Sequence, residues 1–237
     1  MITLQRLFLA ILLGVVGLHV PAAEPEFSFL EPLHPTRPGL PPSLQDIESR
    51  LLADHDLRVE DEVTWAHEGT HYIDSRLSRD PVRAFYCLRG RVARFRHPKI
   101  SIAQIAAAVP KPLRGNIYQQ YLVNQRKHWD SQPLYLVHEW LAYTNGSQVR
   151  KELGWEKRGE TERHMAEMGV YVSVLVSLTE TQDPDYNLGP LVTFIRWNVA
   201  RGKLIVGERW NALPAFVTAC EIPYAPAIDL MDLVKKD

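Results

Sequence analysis

Cysteine is nearly absent from this chain, with only Cys87 and Cys220 in 237 residues. Two are too few for a disulfide-built scaffold or a four-cysteine zinc knuckle, and their separation excludes a redox C-x-x-C pair. One disulfide joining the middle of the chain to its C-terminal part stays open, beside the alternative of two separate buried thiols. Net charge is nearly absent too: 27 basic against 28 acidic side chains leave a formal −1. The chain therefore carries no electrostatic footprint for nucleic acid or an anionic membrane. The locally basic run from Arg83 to Lys99 reads as a solvated face. G-x-S-x-G is missing, as is any glycine-rich phosphate loop, so serine-nucleophile chemistry and nucleotide binding lack their signatures. No apolar run beyond residue 20 reaches the length of a membrane span.

The first 22 residues read as a leader. Arg6 supplies a short positive region, Leu7 to Val20 is apolar, and Val20-Pro21-Ala22 offers small residues for cleavage. A secreted, periplasmic or cell-envelope protein is expected; an uncleaved anchor is the alternative. Residues 23–43 are proline-rich (Pro25, Pro32, Pro35, Pro38, Pro41 and Pro42) and read as an extended lead-in. Residues 44–237 have the length and the apolar content of a single domain.

Helical spacing dominates that domain. Ser43 reads as an N-cap for a helix carrying Leu44, Ile47, Leu51 and Leu52. A second helix is expected from about Glu60 to Leu77, packing through Val63, Ala66, Thr70, Ile73 and Leu77. Phe85 to Phe95 fits a short strand or a helix and turn. Ser101 caps a helix through Ala108, and Asn116 to Trp129 reads as another. Pro133 at a first-turn position opens a strong helix through Tyr143, which Asn145-Gly146 interrupts or ends. Thr161 to Thr179 is helical, and Leu191 to Val199 with Leu204 to Val206 are helix or strand. The fold class is mainly α, with α+β as the alternative.

Chemistry concentrates at His67-Glu68-Gly69-Thr70-His71. On a helix, residues i and i+4 share a face, so His67 and His71 can aim both imidazoles at one metal ion. Glu68 points about 100° further round the axis, towards a water beside the metal. A zinc site needs a third protein ligand. The extended pattern with glycine and a third histidine is excluded, because Asp74 and Leu77 occupy those positions. Glu139, in Val137-His138-Glu139-Trp140-Leu141-Ala142-Tyr143, is the chosen candidate, since a second helix could bring its carboxylate to the open side of the pair. Ala142, on the same face, is small enough for two helices to approach closely. A surface, ion-pairing Glu139 is the alternative, and His138 is a competing ligand on a different face of that helix.

These two stretches resemble the gluzincin branch of the zincin metallopeptidases, which combine H-E-x-x-H on one helix with a glutamate ligand on a following one. The resemblance covers about a dozen residues. It implies a zincin-like helical domain, one zinc ion held by His67, His71 and Glu139, Glu68 as general base, and a peptide or protein substrate. The chain departs from the pattern in one respect: zincins usually carry a β-sheet ahead of the active-site helix. The short segment before residue 60 leaves little room for it, so any sheet must come from later residues.

Asp74, one turn past His71, is a candidate to accept the far N–H of a ligand histidine, or else it pairs with Arg76 or Arg79. Tyr143 is the first candidate for oxyanion stabiliser, with Tyr118, Tyr121 and His128 behind it; core tyrosines with satisfied hydroxyls are the alternative. Glu160, Glu162, His164 and Glu167 form a second cluster that reads as a solvated helical face. The expected function is a secreted zinc metallopeptidase. The alternatives are a non-catalytic extracytoplasmic metal-binding or interaction domain, and a zinc hydrolase acting on something other than peptides.

Overall fold

A computed structural model describes residues 25–53, 61–155 and 160–207. Two helices at its centre carry His67, His71 and Glu139. The first, α2 (Glu62–Leu77), starts where Asp61 turns its carboxylate back to accept the amide N–H of Val63 and Thr64, both at 2.9 Å. That cap satisfies two of the orphan donors of the first turn. Val63, Ala66, Gly69, Thr70, Ile73 and Asp74 form its buried stripe. The second, α5 (Tyr135–Glu152), is buried along most of its length, and packs on α2, α6 (Glu160–Gln182) and α7 (Leu188–Val206).

Asn145-Gly146 does not end α5, contrary to expectation. Gly146 sits where α2 crosses, and a Cβ there would stand 3.1 Å from the Val63 carbonyl oxygen and 3.5 Å from its side chain. The turn-forming look of Asn145 has another cause. Its amide donates to Thr70 Oγ1 at 3.1 Å and to the Tyr86 carbonyl at 2.9 Å, and its Oδ1 accepts from Arg201 at 2.9 Å. Both residues serve the helix crossing.

The sheet is small: β1 (Ser28–Phe29), β2 (Val82–Tyr86) and β3 (Arg91–Arg96), in the order β1-β3-β2 and antiparallel throughout. The stretch from Phe85 to Phe95 is thus a hairpin, with Tyr86 opposite Val92. It turns through Leu88 and Arg89 at φ 62° and 53°, a conformation that β-branched residues resist and glycine favours. Gly90 follows at φ 72°, where a Cβ would lie 2.8 Å from the Leu30 carbonyl oxygen, so only glycine fits. Apart from the two-residue β1, the strands follow α2. The outer side of β2 is not free. Tyr86 N–H donates to Asp74 Oδ1 at 2.5 Å, Ala84 N–H donates to Ser78 Oγ at 3.0 Å, and Asn145 takes the Tyr86 carbonyl. Side chains of α2, of Ser78 just beyond its end, and of α5 thereby hold the hairpin against the helix pair.

Other elements depart from expectation for local reasons. Ser43 lies inside α1 (Pro42–Glu48) rather than capping it, because its N–H and hydroxyl are taken by Glu152 at 2.8 and 2.7 Å. Residues 116–129 do not form one helix; they divide into a π-helical turn (Gln119–Asn124) and the short α4 (Arg126–Trp129). Pro133 precedes α5 by two residues. Residues 191–206 lie in the single helix α7. Ser101 does cap α3 (Ile102–Ala108), with the reciprocal Gln104 bond of a capping box. Among the described residues no helix is long and apolar enough to cross a membrane.

Candidate metal centre

Helix α2 places His67 and His71 one turn apart, and their Nε2 atoms stand 3.0 Å from each other. Glu139 reaches them from α5, with Oε2 at 3.5 Å from His67 Nε2 and Oε1 at 3.4 Å from His71 Nε2. These three side chains could hold a metal ion, and among the described residues they are the group that meets that geometry. The spacing is informative. Ligand atoms bound at ~2.0–2.1 Å to a tetrahedral zinc lie ~3.3 Å apart, and the observed separations fall on either side of that value. Glu139 is 7% exposed, so it is not a surface ion-pairing glutamate. Burial alone would raise its pKa, but hydrogen bonding and charge from His67 and His71 outweigh burial and hold the carboxyl below the usual carboxylate range. An ionised carboxylate facing two imidazole nitrogens is a donor set suited to zinc.

His138 is not part of that group; it stands behind it. Its Nε2 lies 3.0 Å from His71 Nδ1. A histidine that coordinates through Nε2 carries its proton on Nδ1, and here that proton meets an acceptor. Burial lowers His138 to about 4, against an opposing pull from Glu139, so its ring is neutral and can accept. Asp74 Oδ2 lies 3.1 Å from the same His138 nitrogen, though not in hydrogen-bonding orientation. The aspartate is fully buried and spends Oδ1 on the Tyr86 amide, rather than pairing with Arg76 or Arg79. Burial pushes its carboxyl well above the usual range, while the Tyr86 bond and His71 pull it down. Asp74 therefore touches the centre through His138, and ties it to the hairpin.

Two openings flank the three ligands. The first, about 330 Å³, is bordered by His67, Glu68, Tyr121, Tyr143 and Arg150. Glu68 is exposed there. The Tyr143 ring packs edge-on to His67 at 4.7 Å, and its hydroxyl shares a 2.7 Å hydrogen bond with Tyr121, which the π-helical turn supplies. Burial raises both phenols above their ordinary range, so each keeps its proton and can donate it. Tyr118 is excluded from this role because its hydroxyl is committed to the Ala106 carbonyl at 2.8 Å. His128 is exposed on α4, and it borders neither opening. No family model, curated protein or solved structure matches this chain.

The second opening, about 270 Å³, is bordered by His71, His138 and Glu139 on one side and by the hairpin on the other. The residues that shape it, Arg83, Trp129 and Tyr135 among them, have no motif and escape sequence reasoning. Only the hairpin register brings Arg83 to the site.

In the second acidic cluster, Glu162 and Glu167 do not lie on a solvated face, contrary to expectation. Glu162 is 6% exposed and Glu167 fully buried. Glu167 Oε1 accepts the amide N–H of Ile117 and Tyr118 at 3.0 and 3.1 Å, and the Tyr171 hydroxyl as well. A Cβ on Gly115 would fall 2.2 Å from the Glu167 carboxylate, so that glycine admits the carboxylate to the turn ahead of Tyr121. His164 lies edge-on to Tyr143, ring centres 5.4 Å apart. Cys87 is buried, its thiol donating to the Phe85 carbonyl at 3.2 Å. Cys220, the other cysteine of the possible bridge, lies outside the described residues, as does the expected leader.

Proposed function

We propose that this chain is a zinc-dependent hydrolase of peptides, with His67, His71 and Glu139 as metal ligands and Glu68 as general base. The observation that carries the reading is the convergence of His67, His71 and Glu139 at tetrahedral-edge spacing beside an exposed Glu68. When bound, zinc would supply Lewis acidity, bringing the pKa of a water towards ~7 and polarising a carbonyl.

The remaining steps belong to the protein. Glu68 accepts a proton from the attacking water and returns it to the leaving amine. Tyr143, assisted by Tyr121, is positioned to donate to the developing oxyanion. His138 holds the His71 ring through Nδ1, which fixes its tautomer and leaves Nε2 free to coordinate. A structural metal site would have no use for a carboxylate beside its ligands, and Glu68 faces an opening instead of packing.

The zincin resemblance is supported by the two-helix arrangement of the ligands. The sheet differs from that pattern: the hairpin follows α2 in sequence, and side chains occupy the outer side of β2. Export to the cell envelope or beyond rests on the apolar run at residues 7–20 alone.

Metal analysis of the purified protein should return about one zinc per chain. Glu68→Gln should retain that metal and lose about 100-fold or more in peptide hydrolysis. Undiminished turnover in that variant would remove Glu68 from the mechanism, and absence of bound zinc would remove the metal.

A further inference from the structure

The second opening combines largely apolar walls with a cation, Arg83, that no carboxylate of the described residues pairs with. Ala84, Phe85 and Leu134 line it, together with Trp129 and Tyr135. The two rings stack at 4.5 Å and 7°, which makes a flat aromatic wall. Its volume sits near the lower end for small-molecule pockets, ~300 Å³, and suits one side chain better than a length of peptide.

Arg83 projects from β2 at the border of this cavity. Its Nε donates to His97 Nε2 at 3.1 Å. Among the described residues no carboxylate forms an ion pair with it, and no group accepts a hydrogen bond from its two terminal nitrogens. A guanidinium in that state offers a planar fork matched to a carboxylate. His71 and Glu139 form the opposite wall, so the cavity runs from the proposed ligands to the cation.

Resting on the reading of the centre as a hydrolase, we infer that this cavity binds the C-terminal residue of a peptide. The apolar side chain fills the cavity and the free α-carboxylate pairs with Arg83. The enzyme then removes short C-terminal products. One water is consumed: its oxygen bonds to the scissile carbonyl carbon, the C–N bond breaks, and the freed amine takes a proton through Glu68. The products are a shortened peptide with a new carboxylate and an apolar amino acid or short peptide. An internal segment of chain would bring an uncharged backbone to Arg83, and so would leave the cation without a partner.

The test uses N-acetyl-L-phenylalanine and its carboxamide, titrated separately into the zinc-loaded full chain, wild type and Arg83→Met. In the wild type the acid should bind about 10-fold or more tightly than the amide, as charge-assisted hydrogen bonds require. In Arg83→Met the two should bind alike. A carboxylate that only coordinates the metal would keep its advantage in the variant, and that result overturns the inference, as does equal binding in the wild type. If Arg83→Met does not fold, Arg83→Lys takes its place. It keeps the charge without the fork and should retain only part of the preference.

Hydrolysis of N-acetyl-Ala-Ala-Phe and its C-terminal amide separates the two proposals. Equal rates on both would sink the carboxylate site and leave the hydrolase standing. No cleavage of either, with the acid preference intact and dependent on Arg83, would sink the hydrolase and leave the site.

Discussion

At the scale of single residues, the centre rests on a difference between neighbours. Glu139 faces the two Nε2 atoms of His67 and His71, while His138 faces the Nδ1 of His71 from behind. The two should fail differently. Glu139→Ala removes a ligand and should abolish stoichiometric zinc. His138→Ala leaves all three ligands but frees the His71 ring, and should weaken zinc by about 10- to 100-fold. A competitive titration against a chelator of known affinity reads both. Loss of zinc in His138→Ala with retention in Glu139→Ala would exchange their roles. Tyr143 belongs to the same scale: Tyr143→Phe should keep zinc and lower the turnover number by about 10- to 1,000-fold with little change in KM. An unaltered turnover number would free that hydroxyl from the reaction.

At the scale of elements, the crossing of α2 and α5 decides whether the ligands meet at all. Glycine inside a helix costs ~1 kcal/mol relative to alanine, so Gly146 needs a compensating reason, and the approach of the Val63 carbonyl provides it. Gly146→Val forces the helices apart or distorts them. It should destabilise the fold by about 1–3 kcal/mol, and draw Glu139 away from the histidines. Denaturant unfolding measures the first effect and zinc content the second; wild-type values of both would show that the crossing has slack.

This crossing also marks the limit of what the sequence makes legible. Helical spacing marks α2 through its buried stripe, whereas α5 and the middle of α6 are buried on nearly all sides. Periodicity therefore does not say which of their faces meets a neighbour; Glu139 meets His67 and His71 because α5 packs on α2. The Ser101 capping box, by contrast, is local and visible. Asn145-Gly146 misleads because local turn propensity competes with tertiary contacts, and here Thr70, Tyr86 and Arg201 supply better partners than a turn would. Glu167 misleads in the same way, since a charged residue at helical spacing looks solvated until a turn of backbone amides closes on it. The wall of the cavity at Arg83 depends on the register of a hairpin against two helices, and no periodicity within one segment encodes that.

At the scale of the whole molecule, metal and protons should both set stability. If zinc is held only by the folded arrangement, its binding adds RT ln(1 + [L]/Kd), ~2.7 kcal/mol when free zinc is 100 times Kd. Chelation should therefore lower Tm by several degrees, and an unchanged Tm would mean that the three ligands do not form a binding site. Acid acts on a different group. His97 lies between Arg83 and the start of α5, where burial first, and the Arg83 charge second, lower it to about 4, with Asp80 opposing. In the unfolded chain a histidine titrates near ~6.5. Between these values the unfolded state binds more protons than the folded one, so stability increases with pH across that window. The contribution is fully present above about 6.5 and is lost as pH falls towards 4. In metal-free protein, where ligand protonation cannot expel zinc, Tm should decline steadily from pH 7 to pH 4.5. His97→Gln, which can still accept from Arg83 but does not titrate, should lessen that decline, and His138, which burial also lowers to about 4, supplies the remainder. If the variant follows the wild-type slope throughout, the acid sensitivity lies elsewhere, and the Arg83 side of the cavity is not held by a neutral imidazole.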